Sequence, residues 1–273
     1  MDNSLIDIFK SFDYTLSSEK CEKLNRFYEL LIDWNERINL TTITDHDEVV
    51  WKHFIDSASV LFKPDTEKEY FTDEENELFG LKTEACEAIT SEAPFPLRRF
   101  RAMLENYPVR LLDVGTGAGF PGVVLGILDP AWQITLLDSL NKRAEFLKTV
   151  ISELSLENIS VIHGRAEDIG RDADHRLSYD LVVSRAVASL PVLLELCMPF
   201  VSDKGFFVSY KGPDHESDLF RSAHAMSELK VAERFICGYR FRDSERVLIG
   251  FEHDGVFPDK YPRRPGIPGK RPL

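Results

Sequence analysis

The chain has 273 residues, is 43% hydrophobic and carries a formal net charge of −13 at pH 7. That length allows one full-sized α/β core with a small accessory region, and no apolar run reaches the roughly 20 residues needed to span a bilayer. The acidic, polar start at Met1–Ser4 and four widely spaced cysteines predict a cytoplasmic protein without a secretory signal, a disulfide framework or a metal site.

Residues 1–63 predict a small helical region. Apolar residues recur at helical spacing, and Ser17 or Ser18 is placed to cap the start of a helix. The helical pattern breaks at Ile38–Ile43 and then resumes up to Leu61. We therefore expect two helical stretches separated by a short irregular connection.

Residues 64–108 change in composition and are interpreted as an acidic insertion or linker. Ten acidic residues and two lysines lie between Asp65 and Glu92, so more than half of the negative excess is local to this segment. The net charge of the whole chain argues against a nucleic-acid partner. Because more than half of that negative charge lies in this one segment, the net charge does not describe the other surfaces. Five basic residues in the Pro-rich tail, residues 255–273, predict phosphate contacts there.

Residues 109–254 alternate between apolar strand-like runs and helical segments, which predicts a mostly parallel sheet covered by helices. One predicted helix carries Leu140, Ala144 and Leu147 on its apolar face. The last two strands, joined by the polar turn Asp243–Glu245, predict an antiparallel pair. Seven strands ending in such a hairpin are typical of class I (Rossmann-like) methyltransferases, whereas dinucleotide-binding domains end on parallel strands. The predicted strands are Val109–Val114, Trp132–Leu137, Ile159–His163, Tyr179–Ser184, Gly205–Tyr210, Val231–Tyr239 and Arg246–His253.

The clearest chemical signal is the run Asp113-Val114-Gly115-Thr116-Gly117-Ala118-Gly119, which follows the first strand and opens a helix. Glycines at 115, 117 and 119 allow positive φ and let the backbone approach a ligand closely. Gly117, Gly119 and Gly122 also satisfy the G-x-G-x-x-G pattern, so spacing alone leaves both NAD and S-adenosylmethionine open. The place of Gly115 directly after the strand, with Pro121 at the first helical turn, favours S-adenosylmethionine.

Two further carboxylates follow the next two strands. Asp138 ends the second strand about 20 residues after the glycines, where a carboxylate accepts hydrogen bonds from the ribose hydroxyls of either cofactor. Glu167 follows the third strand, next to the expected position of an adenine ring. Because the carboxyl ends of parallel strands meet at one edge of a sheet, the three loops predict one cofactor site.

The fourth strand ends at Ser184-Arg185-Ala186, at the same edge of the sheet. The sequence has no Asn/Asp-Pro-Pro-aromatic motif here, which adenine-N6 methyltransferases use, and no cysteine pair suited to carbon-5 methylation of pyrimidines; Cys197 lies in a predicted helix. Guanine N7 has a lone pair and no proton, so its methylation requires positioning and fixed charge but no general base.

Eight segments of the chain resemble the RsmG (GidB) family of ribosomal RNA guanine-N7 methyltransferases. They cover nearly the whole chain outside residues 64–108, a segment that makes the chain about 40 residues longer than we expect of the family. The segments are Trp34–Thr41, His53–Ser57, Leu112–Gly122, Leu136–Arg143, Gly164–Glu167, Ser184–Ala186, Tyr210–Gly212 and Tyr261–Pro268.

The resemblance implies S-adenosylmethionine as cofactor and small-subunit (16S) ribosomal RNA, or the 30S particle that contains it, as partner; neither a membrane nor DNA is expected. It implies cofactor contacts at Gly115, Phe120, Ala166, Glu167 and Arg185. We expect Arg185 to bind the cofactor's carboxylate or to position the guanine, with a structural ion pair as the alternative. Candidate RNA contacts, most with a solvated surface as the alternative, are Asn39, His53, Lys142, Arg143, Arg165, Lys211, Arg263, Arg264 and Lys270.

Two other functions stay open at the level of sequence. The cofactor motifs also fit a methyltransferase that acts on a small molecule or a protein. They fit equally a module that binds the nucleotide and moves no methyl group.

Overall fold

A computed structural model of the chain describes residues 4–62, 96–106, 108–242 and 244–273. Its centre is a seven-stranded sheet with the strand order β3-β2-β1-β4-β5-β7-β6. The first five strands of this order, from the edge strand β3 to β5, are parallel, while β7 is antiparallel to both β5 and β6. The strands are β1 (Arg110–Val114), β2 (Gln133–Asp138), β3 (Ile159–His163), β4 (Tyr179–Arg185), β5 (Val201–Lys211), β6 (Val231–Phe241) and β7 (Ser244–His253). The predicted sheet with its antiparallel C-terminal hairpin is confirmed.

Helices cover the sheet and form the N-terminal region. Val50–Ile55 is a π-helix, and short 3₁₀ turns occur at Ser59–Leu61 and Met198–Phe200. The α-helices are Ser4–Lys10, Ser18–Ile38, His46–Val49, Asp56–Ala58, Pro96–Asn106, Gly122–Leu128, Asn141–Glu153, Ala166–Ile169, Leu190–Cys197, His215–Arg221, Ala223–Leu229 and Ile267–Lys270.

The long N-terminal helix starts and ends as local sequence chemistry predicts. Ser17 is its N-cap and its side chain accepts a hydrogen bond from the backbone N–H of Lys20. Asn39 ends the helix in the left-handed conformation, at φ 43°, which Asn tolerates better than most residues. The side chain of Asn35 then accepts hydrogen bonds from the backbone of Leu40 and Thr41, which fixes the path of the connection.

The N-terminal helices share one hydrophobic core with the sheet. Phe27 packs between Phe54 and Phe120, with ring centroids 6.0 and 5.2 Å away. Tyr14 and Lys20 both donate to the backbone oxygen of Leu128, at the C-terminus of a sheet-covering helix, where donors satisfy otherwise unpaired carbonyl groups. The helical region is therefore fixed against the glycine loop of the sheet.

Part of the predicted insertion is helical in the structure. In the helix Pro96–Asn106, Phe100 is buried against Phe206 and Phe235, and Arg101 donates to the backbone oxygen of Val60. Most of the acidic segment, including Cys86, lies outside the described residues. The described part thus packs on the β5–β6 side of the sheet.

Two local expectations differ from the structure. Ser244 and Glu245 were expected in the hairpin turn, but both pair in the strand ladder with Phe241 and Arg240, so the connection is shorter; residue 243 lies outside the described residues. Leu140 was expected on the apolar face of a helix, but it precedes that helix in an extended conformation and is 53% exposed.

None of the helices in the described ranges is long and apolar enough to cross a membrane. The three cysteines in those ranges are all buried, and Cys197 is in the helix in which it was predicted.

Candidate active site

A cleft of about 440 Å³ opens at the carboxyl edge of the parallel strands. That volume is in the range of pockets that bind small molecules. The loops after β1, β2 and β4 form three of its walls, and the N-terminal helical region forms the fourth. Its lining residues include Leu40, Thr41, His53, Gly115, Thr116, Gly117, Ala118, Phe120, Asp138, Ser139, Leu140, Arg143, Arg185, Ala186 and Val187.

The glycine loop after β1 depends on positive φ angles of +72° at Gly115, +62° at Gly117 and +92° at Gly119. At Gly119 a Cβ atom would lie 2.6 Å from Val123, so the absence of a side chain permits tight packing. At Gly117 an added Cβ would meet only one backbone oxygen, at 3.9 Å. Because Gly117 lines the cleft, that open space belongs to the ligand side and leaves the backbone accessible.

Asp113, at the end of β1, stabilises this loop from its buried side. Its side chain is fully buried and accepts hydrogen bonds from Thr116 Oγ1 and from the backbone N–H of Gly122, at 2.7 and 2.8 Å. Burial raises the pKa of Asp113 to about 6, although these two hydrogen bonds act in the opposite direction. Asp113 is therefore a structural acid beneath the cleft and does not line it.

Asp138, at the end of β2, joins the first two loops. Its Oδ2 accepts from the backbone N–H of Gly117 at 3.0 Å, and its Oδ1 accepts from the backbone N–H of Leu140 at 2.8 Å. Arg143 lies 3.5 Å from Oδ2. A carboxylate oxygen can accept more than one hydrogen bond, so Asp138 retains capacity for hydroxyl groups of a ligand in the cleft.

Arg185 projects from the end of β4 towards the N-terminal helices. Its Nη1 donates to Asp56 Oδ2 at 2.6 Å and to the backbone oxygen of Lys52 at 2.9 Å. Its guanidinium also lies 5.3 Å from the centroid of the Phe120 ring. The structural ion pair named as the alternative for Arg185 is therefore present, and the side chain still lines the cleft.

The π-helix Val50–Ile55 brings His53 to this network. His53 stacks on Phe120 with ring centroids 4.5 Å apart. Its Nδ1 lies 3.1 Å from Arg185 Nη2 and its Nε2 lies 3.0 Å from Thr41 Oγ1. The Nδ1 also lies 3.0 Å from the backbone oxygen of Lys52. Because that oxygen can only accept and Arg185 can only donate, these two neighbours favour opposite tautomers of the neutral ring.

Burial and the nearby Arg185 guanidinium lower the pKa of His53 to about 3. In the unfolded chain the ring has an ordinary pKa near 6.5, so between about pH 6.5 and pH 3 the unfolded state binds more protons. His53 therefore destabilises the fold progressively as the pH falls below 6.5.

We expect the wild-type protein to lose on the order of 2 kcal/mol of stability relative to His53→Gln between pH 7 and pH 5. The measurement is denaturant unfolding of both proteins at both pH values. Asp113, whose raised pKa gives the opposite dependence, is present in both proteins and cancels in the difference. Equal pH dependence in the two proteins would contradict the expectation.

The structure brings most of the predicted cofactor residues together. Gly115, Gly117, Phe120, Asp138 and Arg185 line the cleft. Gly119, Ala166 and Glu167 are not among the lining residues named above. The Glu167 carboxylate instead accepts a hydrogen bond from the backbone N–H of Gly266 in the C-terminal tail, at 2.9 Å.

The candidate RNA contacts are dispersed. Only His53 and Arg143 line the cleft, and Asn39 caps the long N-terminal helix. Three of the cations pair with carboxylates: Arg143 with Asp138, Lys211 with Asp218 and Arg263 with Glu195. Lys142, Arg165, Arg264 and Lys270 are exposed.

Sequence reasoning did not identify Thr41, Asp56 or Val187 as site residues. Thr41 and Asp56 lie within the resembling segments Trp34–Thr41 and His53–Ser57, which was the available signal. Val187 is a 42% exposed apolar residue that covers Gly115. Its role depends on the loop conformation after β4, which has no local sequence signature.

Comparisons with known proteins found a matching family and relatives that cover nearly the whole chain. The family model described as rRNA small subunit methyltransferase G matches residues 20–73 and 99–246. The ribosomal RNA small subunit methyltransferase G of Alkaliphilus metalliredigens is 38% identical, with 98% of this chain and 97% of that protein covered. The protein of that name from Acetivibrio thermocellus is 37% identical, with 98% and 95% covered. Among solved structures, M. jannaschii TYW2 in complex with AdoMet is similar at 16% identity and a TM-score of 0.45, covering 62% of this chain and 80% of that one.

Proposed function

The chain belongs to the rRNA small subunit methyltransferase G family, and on that premise we propose that it transfers a methyl group from S-adenosylmethionine to N7 of one guanine in small-subunit ribosomal RNA. It is a methyltransferase that uses S-adenosylmethionine and acts on RNA. The position of the methyl group, the residues that carry the reaction and the form of the RNA are the proposed part.

The residues of the cleft fit the cofactor. The open space at Gly117 admits a ligand against the backbone, and Asp138 retains acceptor capacity for ribose hydroxyls. S-adenosylmethionine supplies an electrophilic methyl group on a sulfonium centre. We assign its binding to the residues that line the cleft, Gly115, Gly117, Phe120, Asp138 and Arg185. For Gly119, Ala166 and Glu167 a contact with the cofactor stays a prediction from the sequence.

The observation that carries the N7 assignment is the state of His53. A general base must take up a proton, but burial and the Arg185 guanidinium, 3.1 Å from Nδ1, lower the pKa of His53 to about 3. A methyl acceptor that has no proton to lose is therefore favoured, and guanine N7 is such an acceptor. Arg185, Phe120 and His53 then serve to position the base, with Arg185 as the principal positioning group.

Gly117→Ala is expected to raise the Kd for S-adenosylhomocysteine at least about 10-fold, because the new methyl group would fill the space in which the backbone meets the ligand. The positive φ adds a stability cost of about 1–2 kcal/mol. Gly255→Ala is the matched control, since Gly255 also has a positive φ of +124° and open space around its Cβ direction. Calorimetry should show unchanged affinity for Gly255→Ala; equal affinity for both variants would contradict the assignment.

The proposed function is tested by mapping N7-methylguanine in small-subunit RNA from cells with and without the protein. We expect one position to lose its methyl group in the absence of the protein. Purified protein with labelled S-adenosylmethionine should then label 30S particles or their naked RNA. Label found only in small molecules or in protein, or binding of NAD in place of S-adenosylhomocysteine, would overturn the proposal. We also propose that the reaction takes place in the cytoplasm, where 30S particles are assembled.

A further inference from the structure

A second cavity, of about 300 Å³, lies between the N-terminal helical segment and the tip of the β6–β7 hairpin. We call it the hairpin groove. Its walls combine two aromatic rings with three cations and one carboxylate. The residues that define it are Trp51, Phe241, Lys52, Arg242, Arg246 and Glu48.

The hairpin groove is connected to the cleft through one carboxylate. Asp56 is buried and pairs on one side with Arg185 of the cleft, at 2.6 Å, and on the other with Arg246 of the groove, at 3.4 Å. Lys52, whose backbone oxygen accepts from Arg185, has its side chain in the groove wall. The two cavities therefore lie on either side of the same helical turn.

The chemistry of the groove suits a nucleotide. The Arg242 guanidinium lies 4.5 Å from the centroid of the Trp51 ring, a stacked pair that offers a flat surface for a base. Arg246 and Lys52 are donors for a phosphate. The groove wall carries three cations and one carboxylate, and the neighbouring carboxylates Asp47 and Asp56 pair with Arg242 and Arg246. The groove is therefore close to neutral in a chain with a net charge of −13.

The ion pairs of the groove do not prevent this use. Lys52 pairs with Glu48 and Arg242 pairs with Asp47, and all four side chains are between 40% and 57% exposed. Exposed ion pairs contribute little to stability. A phosphodiester can therefore take the place of these carboxylates, or bind the same two cations beside them. The release of counterions from RNA adds a favourable contribution to the binding free energy.

We propose that the hairpin groove binds a nucleotide of the substrate RNA next to the guanine that is methylated. Its base packs on the Trp51–Arg242 pair and its phosphate contacts Arg246 and Lys52. The inference rests on the proposed function, because it requires RNA to reach the cleft. It adds a second contact point that sets the affinity for RNA without contacting the cofactor.

The test compares Arg242→Ala and Lys52→Gln with the wild-type protein on 30S particles from cells that lack this protein. Each variant is expected to raise KM roughly 10-fold and to reduce the salt dependence of kcat/KM by about one counterion, with kcat kept. The Lys52 exchange leaves the backbone oxygen that holds Arg185 in place. Arg240→Ala is the matched control, because Arg240 is an exposed arginine of the same hairpin, paired with Glu245 and outside the groove.

Calorimetry with S-adenosylhomocysteine separates this proposal from the preceding one. All three variants should bind it as the wild-type protein does. If the wild-type protein methylates RNA and the two groove variants keep its KM and salt dependence, the groove proposal alone is overturned. A loss confined to kcat would overturn it as well, since the effect would then pass through Asp56 and Arg185. If the wild-type protein transfers no methyl group to RNA, both proposals fall.

Discussion

Arg185→Lys is expected to lower the rate of methyl transfer by roughly 100-fold or more, the effect of displacing a positioning group by about 1 Å. The guanidinium of Arg185 reaches Asp56, the Lys52 backbone oxygen and His53 at once. An ammonium group is a single point charge on a flexible stem and cannot reproduce this forked arrangement. Because lysine keeps the positive charge beside Asp56, the fold should survive the exchange. Single-turnover transfer from labelled cofactor to 30S particles measures the effect.

The control for Arg185 is the same exchange in an exposed position. Arg26 pairs with Glu29 and Glu153, and all three side chains are between 47% and 62% exposed. Arg26→Lys should therefore leave the single-turnover rate and the melting temperature unchanged. An unchanged rate in Arg185→Lys, with normal cofactor affinity, would remove Arg185 from the positioning role and leave it as an ion-pair partner of Asp56.

Arg263→Ala is expected to destabilise the protein by about 3–5 kcal/mol, because it removes the positive charge that neutralises a buried carboxylate, although the backbone N–H at that position still donates to it. Glu195 is fully buried, and Arg263 donates to it from Nε at 2.8 Å and from Nη2 at 2.6 Å. This pairing raises the pKa of Arg263. We expect a fall in melting temperature of roughly 10 °C for a protein of this size.

Arg264 provides the comparison for Arg263. It is the next residue in the chain and is exposed, so Arg264→Ala should change stability by less than about 0.5 kcal/mol. Denaturant unfolding of both variants gives the two values. Equal stability would contradict the buried ion pair. The same pair of variants also separates a structural from an RNA-binding role of the tail, since only Arg264 is available to a phosphate without breaking the pairing with Glu195.

The C-terminal tail therefore has a structural role that its amino-acid composition did not indicate. Arg171 donates to the backbone oxygen of Lys260 at 3.0 Å, and Arg176 to that of Tyr261 at 2.9 Å. Gly266 donates to Glu167, beside the loop after β3. Five basic residues in a Pro-rich tail predicted phosphate contacts, but one of them is used to attach the tail to the helix Leu190–Cys197.

The predicted cofactor residues differ in how far the sequence could locate them. Gly115, Gly117 and Asp138 follow strands whose boundaries are readable from apolar runs, and parallel strands bring their ends together. Glu167 follows a readable strand too, yet its side chain is hydrogen-bonded to a backbone 99 residues later in the chain. The position of a loop was thus predictable, while the direction of a side chain within it was not.

The amino-acid sequence by itself determined the seven strands, their final hairpin, the glycine loop and the capped N-terminal helix, because hydrophobic periodicity and turn chemistry act over a few residues. The tertiary structure alone decided which charges meet. Arg185 pairs with Asp56, which is 129 residues away along the chain, and Arg263 pairs with Glu195, which is 68 residues away. Such pairs depend on how packed elements approach one another. Many cations in the chain have the same local sequence surroundings, and only the burial of a carboxylate decides which of them must neutralise it.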